Sequence, residues 1–306
     1  MRRGIQRINN HCGVLALYLF LLIYPGFING QILSNDSSNF STIDFKFVEY
    51  LITNKEFNDA ILILNDSENS LKPNKNQKDS INYYTAWAYY NLKSLDSSIK
   101  YFEKISPESA FYEKSKFYQI FEQIYSHRYD EAEKLMANFQ PGDSLNQELK
   151  LFQQTSTALL QRKFKTFDSL SNGFKYNNFA CEKEQRDLFL RRNEIIRNKK
   201  KSPFIAGLLS GIIPGTGKFY AGLKGQALSG MIPTFLFAIA GAESYYRSGP
   251  KSAPFIIAAS FFTIFYVGNI WGSTLSVKTY YERTNNEIYN NIMLDLHIPL
   301  RRIFGN

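Results

Sequence analysis

A chain of 306 residues carrying a net charge of +9 is long enough for about two domains. Its mean hydropathy of −0.28 is that of a water-soluble protein, so the apolar residues must be gathered into a few stretches. Two cysteines and three scattered histidines make no paired-thiol or metal-ligand spacing, and neither an HExxH nor a nucleophile elbow is present.

The charge falls into two clusters that flank apolar runs: Arg2, Arg3 and Arg7, then Arg191, Arg192, Arg197, Lys199, Lys200 and Lys201. That placement points to anionic lipid headgroups, at Arg197, Lys199, Lys200 and Lys201 in particular, and away from nucleic acid. Residues 1–30 have the layout of a secretory signal peptide, with an apolar core from Val14 to Tyr24 and a small residue, Gly30, before Gln31. Cleavage after Gly30 would leave Cys181 as the one cysteine; an uncleaved anchor is the other reading, because Ile28 fills the −3 position. Residues 31–42, QILSNDSSNFST, are polar and read as a flexible lead-in.

From 43 to 180 apolar residues recur at spacings of three and four, a helical pattern. Four segments share a turn-then-helix signature, NKEFNDAI, LKSLDSSI, SHRYDEAE and QRKFKTFD, anchored by Phe57, Leu95, Tyr129 and Phe164. The anchors are 38, 34 and 35 residues apart. With Ala88, Tyr89, Leu95, Ser98 and Phe102 on matching positions, the array resembles the tetratricopeptide-repeat family. The usual turn glycine is replaced by Lys55, Lys93, His127 and Lys163, and Phe167 takes the place of a small residue in the fourth unit. The resemblance implies a helical solenoid whose groove binds a protein or peptide, with Tyr83, Trp87, Tyr90, Phe117, Phe121 and Tyr125 on the groove face. The carboxylates of this stretch read as solvated helix faces, and His127 and His297 as lone surface histidines.

Residues 181–202 form a basic linker helix, with an apolar stripe at Leu188, Leu190, Ile195 and Ile196, that caps the last unit. A membrane module of three apolar segments follows over 203–277. GIIPGTGK is not a phosphate-binding loop, since Ile212 stands where the first glycine must be and Phe219 where the hydroxyl must be. Pro214-Gly215-x-Gly217-x-Phe219-Tyr220-x-Gly222, with Gly225 after it, resembles the turn of small bacterial membrane domains. These are the two-transmembrane-helix family and, closer still, a Bacteroidota domain of unknown function. The glycines suit a tight turn between packed helices. Glu243 and Asn269 are the polar residues to watch within the apolar runs.

The tail, 278–306, carries Tyr281, Ile288, Ile292 and Leu296 on an amphipathic pattern that would lie against the membrane surface or the protein. Three spans would leave it in the cytoplasm, which its bases Lys278, Arg283, Arg301 and Arg302 favour; two, with 203–222 re-entrant, would return it to the periplasm. The sequence thus reads as an all-α protein, a tetratricopeptide-like solenoid followed by a helical membrane module. It would be a multi-pass protein of a bacterial inner membrane with its repeats in the periplasm. The expected role is a scaffold that binds a protein or peptide, without enzymatic activity, cofactor or metal. In the alternative, the membrane module handles a lipid, small solute or polypeptide and the repeats recruit its client.

Overall fold

The computed structural model describes residues 43–305, and among these there are thirteen α-helices and no strand. The signal peptide and lead-in expected at 1–42 lie outside the described residues. The chain divides into two units, with the boundary between Phe47 and Val48. In the first, the Asp44 carboxylate accepts from the backbone N–H groups of Lys46 and Phe47 at 3.0 and 3.3 Å, capping the start of α1 (Phe45–Thr53).

The second unit continues through α2 (Phe57–Ser70), α3 (Lys75–Asn91), α4 (Leu95–Phe102), α5 (Tyr112–Tyr125), α6 (Tyr129–Asn138), α7 (Ser144–Leu160) and α8 (Phe164–Ser171). Each of these packs on the next. Local chemistry sets the starts of the long ones. Asn74 and Gln77 cap α3 reciprocally, each side chain bonded to the other's backbone N–H at 2.9 Å, and Asp143 accepts from Asn146 N at 2.8 Å at the head of α7.

Four turns in this region share one hydrogen-bonding pattern. In the first, Lys55 N donates to Ile52 O and Glu56 N to Leu51 O; the bonds recur as Lys93 to Tyr90 with Ser94 to Tyr89. They recur again as His127 to Ile124 with Arg128 to Gln123, and as Arg162 to Leu159 with Lys163 to Ala158. This is the paired closure of a helix end by a left-handed residue, and Lys55, Lys93, His127 and Arg162 all have φ between 58° and 65°. The fourth left-handed residue is therefore Arg162; the sequence assignment to Lys163 was one residue late. Three residues after each anchor, Ala60, Ser98 and Ala132 are fully buried, as is the larger Phe167, whose ring meets Phe189 edge-on at 5.4 Å.

Helix α9 (Glu182–Arg197) packs on α7, where Gln185 Nε2 donates to Glu148 Oε1 at 2.9 Å. Of its predicted stripe, Leu188 is buried and Ile195 joins the core, whereas Leu190 and Ile196 are exposed. The first apolar run becomes two short helices, α10 (Pro203–Ile212) and α11 (Thr216–Ala221), and then come α12 (Lys224–Ser248) and α13 (Ala253–Phe304). Among the described residues two helices, α12 and α13, are long and apolar enough to cross a membrane; α10, from the first of the three apolar segments, is too short. Ten residues make about 15 Å of helix, half of a roughly 30 Å hydrocarbon layer. Helix α13 runs for 52 residues, about 78 Å, and carries the apolar run into the tail without a break at 277.

Candidate functional site

The tail half of α13 lies along the helix pairs. Ile288, Ile292, Leu296 and Leu300 are buried there, in one core with α3, α5, α7 and α9. Of the two places the amphipathic pattern allowed, the protein is the one it takes. Polar bonds fix it at both ends. Arg302 Nη1 donates to Glu184 Oε2 at 2.8 Å and to Ala180 O at 3.1 Å, Arg191 Nε reaches Asp295 Oδ2 at 3.3 Å, and the Tyr289 hydroxyl donates to Tyr125 O at 3.1 Å.

The tail therefore covers much of the face that the sequence offered to a partner. Phe117 is fully buried, 5.1 Å from Phe139 and 5.5 Å from Phe304 between ring centres, and Tyr83 is stacked on Phe111 at 4.2 Å; both serve the core and not an open groove. Trp87 is half-buried between Tyr90 and Tyr118. Tyr90 and Phe121 meet the tail at His297, which stacks on Phe121 at 5.2 Å and shares a 2.8 Å hydrogen bond with the Tyr90 hydroxyl. Tyr125 alone of the six stays open, at 52% exposure. What remains is a cavity of about 250 Å³, lined by Tyr90, Phe121 and Tyr125 on one side and by Met293, Leu294 and His297 of the tail on the other.

His297 is thus no lone surface histidine. Burial first, then the neighbouring charges of Arg301 and Lys93, hold its imidazole below the ordinary value and so neutral. It lies one residue past Leu296 on the stripe already visible in sequence. His127 is exposed, as expected, at a left-handed turn with its ring on Tyr289.

The carboxylates are not all solvated either. Asp79, Glu122, Glu148, Glu184 and Asp295 are buried. Four have partners: Ser106 N donates to Asp79 at 3.1 Å, and Gln185, Arg302 and Arg191 serve the other three. Glu122 has neither oxygen bonded, since the Ser98 hydroxyl donates to Ala86 O. Burial pushes its pKa up to about 8, leaving it protonated at neutral pH. Burial also raises the Cys181 thiol to about 12, which makes it a poor nucleophile. Among the described residues no three His, Cys, Asp or Glu side chains converge on a metal position.

The glycine motif forms a hairpin between α10 and α11. Gly215 turns the chain at φ 88°, next to the buried Pro214, and Gly222 ends α11 at φ 100°. Gly217 is required by contact: a Cβ there would sit 1.9 Å from Ala206 O. Its N–H donates to Ser210 Oγ at 2.9 Å, and Ser210 Oγ meets Ser273 Oγ of α13 at 2.7 Å. Tyr220 is half-buried and accepts at its hydroxyl from Ser202 N at 3.2 Å; Phe219 is exposed; Gly225 faces open space and is not needed for close packing. Glu243 is exposed and paired with Arg247 at 2.9 Å. Asn269 is buried and ties α13 to α12, donating to Gly230 O at 2.7 Å and Thr234 Oγ1 at 2.8 Å, with its own Oδ1 unbonded. The lysine of α11 closes this seam, since a Cβ on Gly230 would meet both Asn269 Oδ1 and Lys218 Nζ.

Comparison with protein-family models, with curated proteins and with solved structures gives no match to this chain.

Proposed function

We propose that this protein is a membrane-anchored scaffold whose tetratricopeptide-like helix pairs bind a protein or peptide beside their own tail helix. The repeats are read as periplasmic, carried across the inner membrane by the N-terminal signal and held there by α12 and α13. The observation that carries the reading is the 250 Å³ cavity at Tyr90, Phe121 and Tyr125. Its rim exposes Tyr125 and Leu294, so a partner's apolar side chain entering it would bury two large apolar groups already in position. A photo-crosslinking amino acid at position 125 of the full chain in native membranes should capture a discrete polypeptide, and one at position 78 should not. Equal capture at both positions, or none at 125, overturns the reading.

The same arrangement supports two crossings in place of three. The tail packs on the helix pairs, so an even number of spans must separate them. With Cys12 changed to Ser and Cys181 buried, a Gly305→Cys variant should label with an impermeant thiol reagent in intact spheroplasts. Labelling only after permeabilisation would restore the three-span count.

The alternative, in which the membrane module acts on a lipid or solute, draws support from Asn269 Oδ1 and Lys218 beside it. Capture from position 125 that survives Lys218→Gln but fails in Leu294→Ala favours the scaffold; the reverse favours the module.

A further inference from the structure

We propose that the junction of α9 with the membrane-facing helices is a binding site for the phosphate headgroup of an anionic phospholipid. The inference rests on the reading that α12 and α13 enter a bilayer. A cavity of about 290 Å³ opens at this junction. One wall is cationic, made by Arg197, Lys199 and Lys201. Glu194 is the one carboxylate among the lining residues, and it is already held by Arg191 at 3.3 Å. Lys201 is positioned by its Nζ donating to Tyr220 O at 2.6 Å, which leaves further ammonium hydrogens for a ligand. Arg197 and Lys199 make no ion pair among the described residues. Lys200, grouped with these bases in the sequence, does not line the cavity.

The rest of the lining is different in kind. Ala221 and Val277, both buried, form an apolar floor, and Tyr280 stands beside them with a phenol edge that suits a headgroup boundary. Two loose cations above an apolar floor fit a ligand that is charged at one end and greasy at the other. The place fits as well. Val277 is where the apolar run of α13 gives way to Lys278, so the cations stand at headgroup level. A free phosphate ion would use the basic wall but gain nothing from the floor.

The test titrates the full-length protein, in a non-ionic detergent, with dioctanoyl phosphatidylglycerol, dioctanoyl phosphatidylcholine and inorganic phosphate, read by calorimetry. Phosphatidylglycerol should bind tighter than phosphatidylcholine and tighter than inorganic phosphate, each by about tenfold or more. The paired change Arg197→Gln with Lys199→Gln should weaken phosphatidylglycerol about tenfold, while the equally charge-depleting pair Lys78→Gln with Lys100→Gln leaves it unchanged. All four positions are exposed, so the fold should survive either pair. Equal affinity for the two lipids overturns the proposal, as does an equal loss from both variant pairs. Inorganic phosphate binding as tightly as the lipid would mark a free-anion site and overturn it too. Failure of the membrane reading shows separately, as wild-type protein that does not float with purely zwitterionic vesicles.

Discussion

The helix pairs from α2 to α9 and the apolar helices from α10 to the middle of α13 bury opposite kinds of residue. In the helix pairs the largest fully buried side chains are Tyr118, Phe102, Phe117, Phe152 and Phe167, as for any domain in water. In the apolar helices the buried positions are Ala206, Gly207, Ser210, Gly217, Ala221, Ala227, Thr234, Gly241, Ala258, Asn269 and Ser273, with Val277 the one larger side chain, at the end of the apolar run. Large apolar groups point outward there, Ile239 at 68% and Trp271 at 69% exposure among them. Small and polar inside, large and apolar outside, is the pattern of helices that associate by close backbone approach and interhelical hydrogen bonds in a hydrocarbon solvent. The two apolar helices are accordingly compatible with membrane association, and the chain's modest mean hydropathy is an average over two opposite surfaces.

The sharpest way to break that comparison is to make one damaging change in each region. Phe117→Ala removes a fully buried ring between Phe139 and Phe304 and should cost about 3–5 kcal/mol, seen as a large drop in melting temperature by circular dichroism. Ile239→Asp should leave the melting of the helix pairs unchanged yet oppose insertion by roughly 2.5–3.5 kcal/mol, releasing protein from membranes on carbonate extraction. If that face met water, Ile239→Asp would be silent or raise solubility, and the contrast between the regions would collapse.

Much of the first region was legible because its signal is local. The helical period and the anchors at Phe57, Leu95, Tyr129 and Phe164 needed no tertiary information, and each anchor is the first residue of a helix. The left-handed position was less legible, since hydrogen-bond register sets it and not side-chain chemistry; hence Lys163 was taken for Arg162. Three apolar segments give only two helices of spanning length because residues 203–222 are apolar enough in sum, but the backbone reverses at Gly215. The candidate site was the least legible. An amphipathic stripe at Ile288, Ile292 and Leu296 reads the same whether lipid or protein covers it, so the burial of Phe117 beside Phe304 of the tail has no local signal. Buried carboxylates are hidden for the same reason, their burial being decided by helices far away in sequence.

Glu122 sharpens the comparison from within the helix pairs, where a polar group is buried without the hydrogen bonds that Asn269 has. Its folded pKa of about 8 exceeds the ordinary carboxyl value of 4.5, so the unfolded chain gives up the proton first. Its contribution is thus intact below pH 4.5 and is lost as pH rises through about 8. Glu122→Gln removes the titration. The variant should gain on wild type as pH rises, by roughly 4–5 kcal/mol at pH 9, with the difference vanishing near pH 4. His297 imposes the opposite limb. Its depressed pKa means that stability is present above the unfolded value near 6.5 and falls below it, as the imidazole is forced to charge. A Glu122→Gln difference that does not change with pH would mean the carboxyl is solvated.

The smallest effect concerns the turns, which the apolar helices build with glycine and the helix pairs build without it. Gly215 and Gly222 take left-handed φ values at no steric cost, whereas Lys55, Lys93, His127 and Arg162 hold φ near 60° with a Cβ in place. Three of those four side chains are engaged elsewhere: Lys93 lies over the Tyr90 ring, His127 on Tyr289, and Arg162 on Asn285. Lys55, exposed and without such a contact among the described residues, is the one with which to isolate the backbone term. Relief of the left-handed strain favours Lys55→Gly by about 1 kcal/mol, and the greater freedom of glycine in the unfolded chain takes back some of it. The net expectation is a gain of roughly 0.5 kcal/mol, a rise of one or two degrees in melting temperature, with Lys55→Ala showing none of it. A loss of stability in the glycine variant would mean that the lysine side chain, and not the hydrogen-bond register of the turn, holds this position in its left-handed conformation.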